Sequence, residues 1–218
     1  MRRIAVQNLK GGTAKTTTAV SLAHALALRG RRVLLLDADA QGNVAACLGL
    51  KAHGPSIYHL LVEEAASARC IAPTGREGLE VLPSDKSLAA AEILFQSMPR
   101  REEVLSLRLR GLSGYDYVIV DCAPALSLLH QNALLFADEL VIPISAEFLA
   151  LRGAQQILDS MKLLRRYFDR VPSLLGVLPT LVDSRTSIAN EIVAAIRDTY
   201  RDLCPVLDPI PTDTRVSQ

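Results

Sequence analysis

Residues 10–17 read K-G-G-T-A-K-T-T, and no other stretch restricts the fold as strongly. An apolar run at 4–6 precedes them and reads as a strand; an Ala/Leu-rich segment at 18–28 follows and reads as a helix. A strand, a glycine turn and a helix opened by Lys-Thr form the arrangement that binds nucleotide phosphates. Gly11 and Gly12 let the backbone pass close to the anion and take dihedrals that a side chain forbids. The loop backbone, from Gly11 and Gly12 through Thr13 and Ala14 to Thr17, then presents its N–H groups to phosphate, aided by the positive end of the helix. Lys15 is placed to reach the β- and γ-phosphates, and the Thr16 hydroxyl to hold Mg²⁺.

The common phosphate-loop pattern, G-x-x-x-x-G-K-[ST], is not met to the letter. Leu9 occupies its first glycine position, and Ala14 replaces the glycine before the lysine. A second lysine, Lys10, opens the loop instead. Only five of the 24 basic residues are lysines, and two of those five lie in this loop, so their placement points to a role. The alternative is a glycine turn with a solvated lysine on either side.

K-G-G-x-x-K-T-T resembles the deviant Walker A motif of the ParA/MinD group of ATPases, and the ParA branch fits best. The resemblance implies that Lys10 reaches across a dimer interface to the partner's ATP, while Lys15 is the ordinary phosphate-loop lysine. Leu9 departs from the family's Gln and Ala14 from its Gly. The added Cβ of Ala14 restricts the loop without removing a catalytic group.

At 218 residues the chain is within reach of one α/β domain with a substantial core. No apolar run is long enough to span a bilayer, and the first residues read as a strand, not as a signal peptide. A net charge of +1 does not announce a nucleic-acid binder, so any such binding has to come from a local patch. Four cysteines lie scattered without C-x-x-C spacing, which argues against a zinc or iron–sulfur site and for reduced thiols in the cytoplasm. Cys122 reads as a small core residue.

Residues 32–38, R-V-L-L-L-D-A, read as a strand buried on both faces of a parallel sheet. The segment that follows resembles the family's D-x-D-x-Q-G-N, which makes Asp39 the residue that helps orient the attacking water, with Mg²⁺ nearby. A cap on the next helix is the alternative reading of Asp39, and the two roles are compatible. Helices are expected at 43–50 and 57–64, a polar turn at 74–78, a strand at 79–84 ending in a family-like L-P-S, and helices at 87–96 and 102–109. Arg100, Arg101, Arg108 and Arg110 read either as a solvated face or as part of a DNA-facing patch. At 115–121, Y-D-Y-V-I-V-D fits a Walker B strand whose Asp121 holds Mg²⁺ through water. The next residues resemble the family's switch segment, which answers to the γ-phosphate, and His130 within it reads as surface or interface.

A strand at 139–144 leads to S-A-E-F-L-A-L-R-G, similar to the family's x-x-E-x-x-A-L-x-G. The helix beyond it sets Ile157, Met161, Leu164 and Phe168 on one face. A strand at 174–180, a helix packing through Ile188, Ile192, Ile196 and Tyr200, and a last strand at 205–210 complete the reading. By resemblance Pro211 and Asp213 line the adenine pocket, and Arg185 and Arg215 contribute to a DNA-binding surface. Arg215 could as well be a solvated or salt-bridged residue. The chain reads as a single ATPase domain of 1–218; the family continues for a helix or two beyond this length, which leaves open whether C-terminal residues are missing.

The expected architecture is α/β, a mostly parallel sheet of about seven strands flanked by helices, in the manner of P-loop NTPases. The resemblance implies an ATPase that forms a homodimer on ATP–Mg²⁺ and binds DNA without sequence preference. A ParB-like or other partner stimulates its slow hydrolysis, and the cycle positions a chromosome, plasmid or other cargo. Such a protein is cytoplasmic, nucleoid-associated when ATP-bound, and not expected on membrane. The rival readings are a MinD-like ATPase that cycles on membrane, a small-molecule kinase-type enzyme on the same fold, and a nucleotide-locked binding module.

Overall fold

In a computed structural model, which describes residues 1–50, 54–147 and 150–213, seven strands form one sheet in the order β3-β4-β2-β5-β1-β6-β7. The strands are β1 (Arg2–Val6), β2 (Val33–Ala38), β3 (Ala72–Arg76), β4 (Leu79–Leu82), β5 (Tyr117–Cys122), β6 (Glu139–Ser145) and β7 (Ser173–Thr180). All neighbours are parallel except β3, which pairs antiparallel with β4 at one edge. The helices are α1 (Lys15–Leu28), α2 (Asn43–Cys47), α3 (Ile57–Leu61), α4 (Ser67–Cys70), α5 (Leu88–Phe95), α6 (Val104–Arg108), α7 (Leu128–Phe136), α8 (Ala150–Leu164) and α9 (Ser187–Tyr200).

The all-apolar strands are central because helices cover both faces. Every residue of β2 is buried. On one face α1 lays Ala19, Ala23 and Ala27 against Ile4, Val33, Leu35 and Ile119; small side chains at this spacing let the helix lie close to the sheet. On the other face α3 and α5 to α9 build a larger core around Leu34, Leu36, Val118, Val120 and Leu140. Register then decides what meets at the carboxyl ends. Asp121 stands opposite Val6 on one side and Asp37 on the other, so two aspartates lie side by side just below the loop that leaves β1.

The expected count of strands holds, with one exchanged for another. The turn expected at 74–78 is strand β3 as far as Arg76, with the reversal at Gly78 (φ +73°), where a Cβ would meet the Arg31 carbonyl oxygen at 2.9 Å. Its sequence, A-P-T-G-R, shows no apolar alternation because only Thr74 turns inward, its hydroxyl donating to the Leu79 carbonyl at 2.7 Å. The strand expected at 205–210 is instead a proline-spaced run beside β7, joined by isolated bridges at Val206 and Pro211. Pro205, Pro209 and Pro211 lack the N–H a ladder needs. In α9 the buried stripe is Ala189, Val193, Ile196 and Tyr200, and Ile188 is exposed. The Thr186 hydroxyl accepts from the Ala189 N–H and fixes the first turn, which rotates Ile188 outward.

Candidate nucleotide-binding site

The loop between β1 and α1 is shaped by two left-handed residues, Gly12 (φ +73°) and Ala14 (φ 59°). Ala14 takes a conformation that costs an L-residue roughly 1 kcal/mol, the restriction its sequence position implied. Among the described residues, the N–H groups of Gly11, Gly12, Thr13, Ala14, Lys15, Thr16 and Thr17 donate no hydrogen bond. The first internal helical bond is Thr18 N–H to the Ala14 carbonyl at 2.9 Å. Seven successive amides at the positive end of a helix form a nest for an anion.

The loop is held from below. Asn8, fully buried, donates from Nδ2 to the Pro143 carbonyl of β6 at 2.7 Å, and its Oδ1 accepts from the Lys10 N–H at 3.0 Å. Thr180, at the end of β7, donates to the Thr13 carbonyl at 3.1 Å. Lys15 is buried, which pulls its pKa down, and its ammonium donates to the Lys10 carbonyl at 3.0 Å. The Lys10 ammonium is ion-paired with Glu147, just beyond β6.

Under the loop lie the two paired aspartates. Burial pushes Asp121 up to about 7, with the charge of Asp39 adding and the nearby Thr16 hydroxyl and Lys15 opposing. Neither of its carboxylate oxygens has a hydrogen-bond partner among the described residues. An orphaned buried carboxylate next to a threonine hydroxyl fits a hard cation such as Mg²⁺. No cluster of three His, Cys, Asp or Glu among the described residues could hold a metal alone, so such a cation would share its ligands with phosphate. Asp37, also raised to about 7 by burial, accepts from the Asp39 and Val44 N–H groups. Asp39 is not the cap of α2: that amide goes to Asp37, and the Asp39 carboxylate closes a turn onto the Gln41 N–H at 3.0 Å. Gly42 (φ +65°) packs so closely that a Cβ would lie 2.8 Å from the Ser84 carbonyl oxygen. The Q-G-N and L-P-S segments are therefore two sides of one contact.

A cleft of about 920 Å³ runs from Gly12, Ala14, Thr17 and Thr18 to Pro211 and Asp213, between α1 and the chain beside β7. The structure thus brings loop, aspartates, Pro211 and Asp213 to one end of the sheet. Arg185 lies apart from them, exposed and paired with Asp183; Arg215 lies outside the described residues. His130 is buried, not on the surface: Gln7 and Ser160 sit on its two ring nitrogens, and burial lowers its pKa to about 4. Sequence reading passed over Asp37 and Glu147 as site residues. The Asp37 signal, a carboxylate inside an apolar strand, was present.

An AAA domain family model matches residues 1–171. The sporulation initiation inhibitor protein Soj of Bacillus subtilis (strain 168) is 38% identical over 218 residues, 99% of this chain and 86% of that protein. The chain belongs to the ParA/Soj family of partition ATPases. Among solved structures, a single-residue variant of McdA of Cyanothece in complex with ATP superposes with a TM-score of 0.93 at 27% identity, covering 100% of this chain and 86% of that one. A Mycobacterium smegmatis protein titled cobyrinic acid a,c-diamide synthase, with bound ATP analog and magnesium, superposes at 0.91 with 36% identity, covering 98% and 88%. The P-loop ATPase fold of the family is the one described above.

Proposed function

We propose that this chain is a ParA-type ATPase that pairs with a second copy on ATP–Mg²⁺, binds DNA without sequence preference, and positions a cargo through partner-stimulated hydrolysis. The observation that carries the nucleotide part is the nest of seven unengaged amides above an orphaned Asp121. The solved neighbours that hold ATP, or an ATP analog with magnesium, support the nucleotide part of this reading.

Each residue then has a task. The amides of Gly11, Gly12, Thr13, Ala14 and Thr17 bind phosphate oxygens, and Pro211 and Asp213 line the base end of the cleft. Lys15 exchanges the Lys10 carbonyl for the β- and γ-phosphates; its lost hydration makes that charge more effective. Thr16 and Asp121 hold Mg²⁺, which supplies positive charge against the phosphates, and Asp39 orients water. Lys10 acts on the nucleotide of the second copy. For DNA, arginines are the candidate contacts, among them the exposed Arg185 and, by family resemblance, Arg215. An exposed pair such as Arg185–Asp183 opens easily, so Arg185 can exchange Asp183 for a DNA phosphate.

The test is DNA co-sedimentation of wild type and Lys10→Ala, each with ATP and with ADP. Binding by wild type with ATP alone, lost in Lys10→Ala, is the expected result. Binding indifferent to nucleotide and to Lys10 would sink the partition reading. The M. smegmatis neighbour, a synthase by name, favours one alternative, ATP-dependent activation of a small-molecule acid, which would show as turnover with that substrate and no DNA dependence.

A further inference from the structure

The residue facing Lys10 has no part in the function proposed above, yet Lys10 cannot act without leaving it. Glu147 follows β6, and the Lys10 ammonium is paired with its carboxylate within the same chain. The backbone on the Lys10 side of this pair is fixed. Asn8 ties the Lys10 N–H to the Pro143 carbonyl of β6 through bonds of 3.0 and 2.7 Å. Gly153, in the first turns of α8, lies flush on the same segment: a Cβ there would come 2.3 Å from Asn8 Oδ1 and 3.1 Å from the Lys10 nitrogen. The loop carbonyl of Lys10 is further engaged by the Lys15 ammonium. With the main chain held by Asn8 and Gly153 even when Lys15 leaves for phosphate, the freedom left to Lys10 is that of its side chain. The choice for its charge is the Glu147 carboxylate or another anion.

We propose that Glu147 is a counter-ion in cis that sets the threshold for nucleotide-dependent pairing of two copies. To reach a phosphate on a second copy, each Lys10 has to give up its own Glu147. The proposal rests on the paired-copy reading given above. It deepens that reading by naming the competitor that phosphate displaces. The Lys10 side chain is 28% exposed and that of Glu147 64%, so the pair is wet and weak enough to exchange. It still biases the equilibrium twice per dimer. The competition is between anions, so it should depend on the Glu147 charge and fade as salt screens it.

Self-association of wild type, Glu147→Gln, Lys10→Ala and the double variant should be followed by analytical ultracentrifugation with Mg²⁺–ATP. Glu147→Gln is expected to lower the concentration for half-association about two- to tenfold, two weak surface pairs being removed per dimer. Glu147→Asp should restore the wild-type value, and adding Glu147→Gln to Lys10→Ala should change nothing further. Weaker or unchanged association in Glu147→Gln overturns the proposal, as does an effect that persists without Lys10. A second readout needs no dimer: acylation of Lys10 by an amine-reactive reagent, read by mass spectrometry against Lys86 in the same chain. Faster Lys10 labelling in Glu147→Gln is expected. Unchanged labelling with normal ATP-dependent association overturns the counter-ion role alone. Altered labelling with no association in any variant overturns the threshold and the paired-copy reading together.

Discussion

The carboxyl end of the sheet and the arginine-bearing surface treat charge in opposite ways. At the sheet end Asp37 and Asp121 are buried side by side, and Asp121 has no hydrogen-bond partner among the described residues. On the surface, arginines that could have formed a basic patch face carboxylates: Arg100 with Glu103, Arg101 with Glu102, Arg108 with Glu64, and Arg185 with Asp183. Burial without a partner is costly and persists where a ligand repays it; exposed pairing costs little and commits the arginine to nothing. The nucleotide site is thus preassembled. DNA contact through these four arginines would require each first to let go of a carboxylate.

The largest expected effect follows from Asp121. A carboxyl whose folded pKa lies near 7, against an ordinary 3.8, keeps a proton that the unfolded chain has lost. Stability of the free protein should therefore fall as pH rises from about 4 to about 7, then level off. Asp37 contributes in the same direction. Asp121→Asn should remove part of that slope and raise stability at pH 8 by on the order of 2–4 kcal/mol, about 1.4 for each unit of pKa shift. The same variant should lose the rise in Tm that Mg²⁺–ATP gives wild type. Thermal melts between pH 5 and 8, with and without nucleotide, check both, and a variant less stable than wild type at pH 8 would mean that Asp121 has a partner.

Gly153→Ala comes next. Alanine raises helix propensity by about 1 kcal/mol, but its Cβ would lie 2.3 Å from an Asn8 oxygen already anchored to Pro143. Overpacking of this kind costs roughly 1–3 kcal/mol, so the clash wins and the phosphate loop is displaced. Chemical denaturation should show a net loss of up to about 2 kcal/mol, and nucleotide affinity should fall. Stability unchanged with weaker nucleotide binding would show that the loop yields and the helix does not.

That glycine also shows what the sequence could and could not disclose. The K-G-G-T-A-K-T-T loop, β2 and β5 were legible because each is a local pattern, a turn between a strand and a helix or an apolar run ending in Asp. Ala14 was legible even as a departure, and it sits in the left-handed conformation its neighbours demand. The role of Gly153 depends on Asn8, more than a hundred residues away in the chain. The Gly42 contact with Ser84 and the burial of His130 against Gln7 and Ser160 likewise depend on residues at least 30 positions away. Strand β3 stayed hidden because an antiparallel edge with one buried side chain carries no periodic signal, and the run beside β7 looked like a strand until its prolines are counted as missing donors.

Ala14→Gly is a smaller effect of opposite sign. Glycine relieves the left-handed strain of about 1 kcal/mol but returns part of it as unfolded-chain entropy. The net gain should be about 0.5 kcal/mol, measurable as a shifted denaturation midpoint at unchanged slope. A loss would indicate that the Ala14 methyl packs in the cleft it lines.

The smallest effect belongs to the surface pairs. Arg108 donates to Glu64 from a half-buried position, and truncating it to alanine should cost about 0.5 kcal/mol or less. Raising the salt concentration to about 0.5 M should leave the stability of wild type and of Arg108→Ala alike, because screening has already removed what the pair supplies. A loss well above 1 kcal/mol would come from the aliphatic stem and from the bond to the Leu61 carbonyl at 3.4 Å, and would survive in high salt. In that case the arginine surface is part of the packed structure, and its side chains are not available to exchange carboxylate for phosphate. DNA binding would then have to come from arginines outside these pairs, such as Arg165, Arg166 and Arg197, which are exposed and have no ion pair among the described residues.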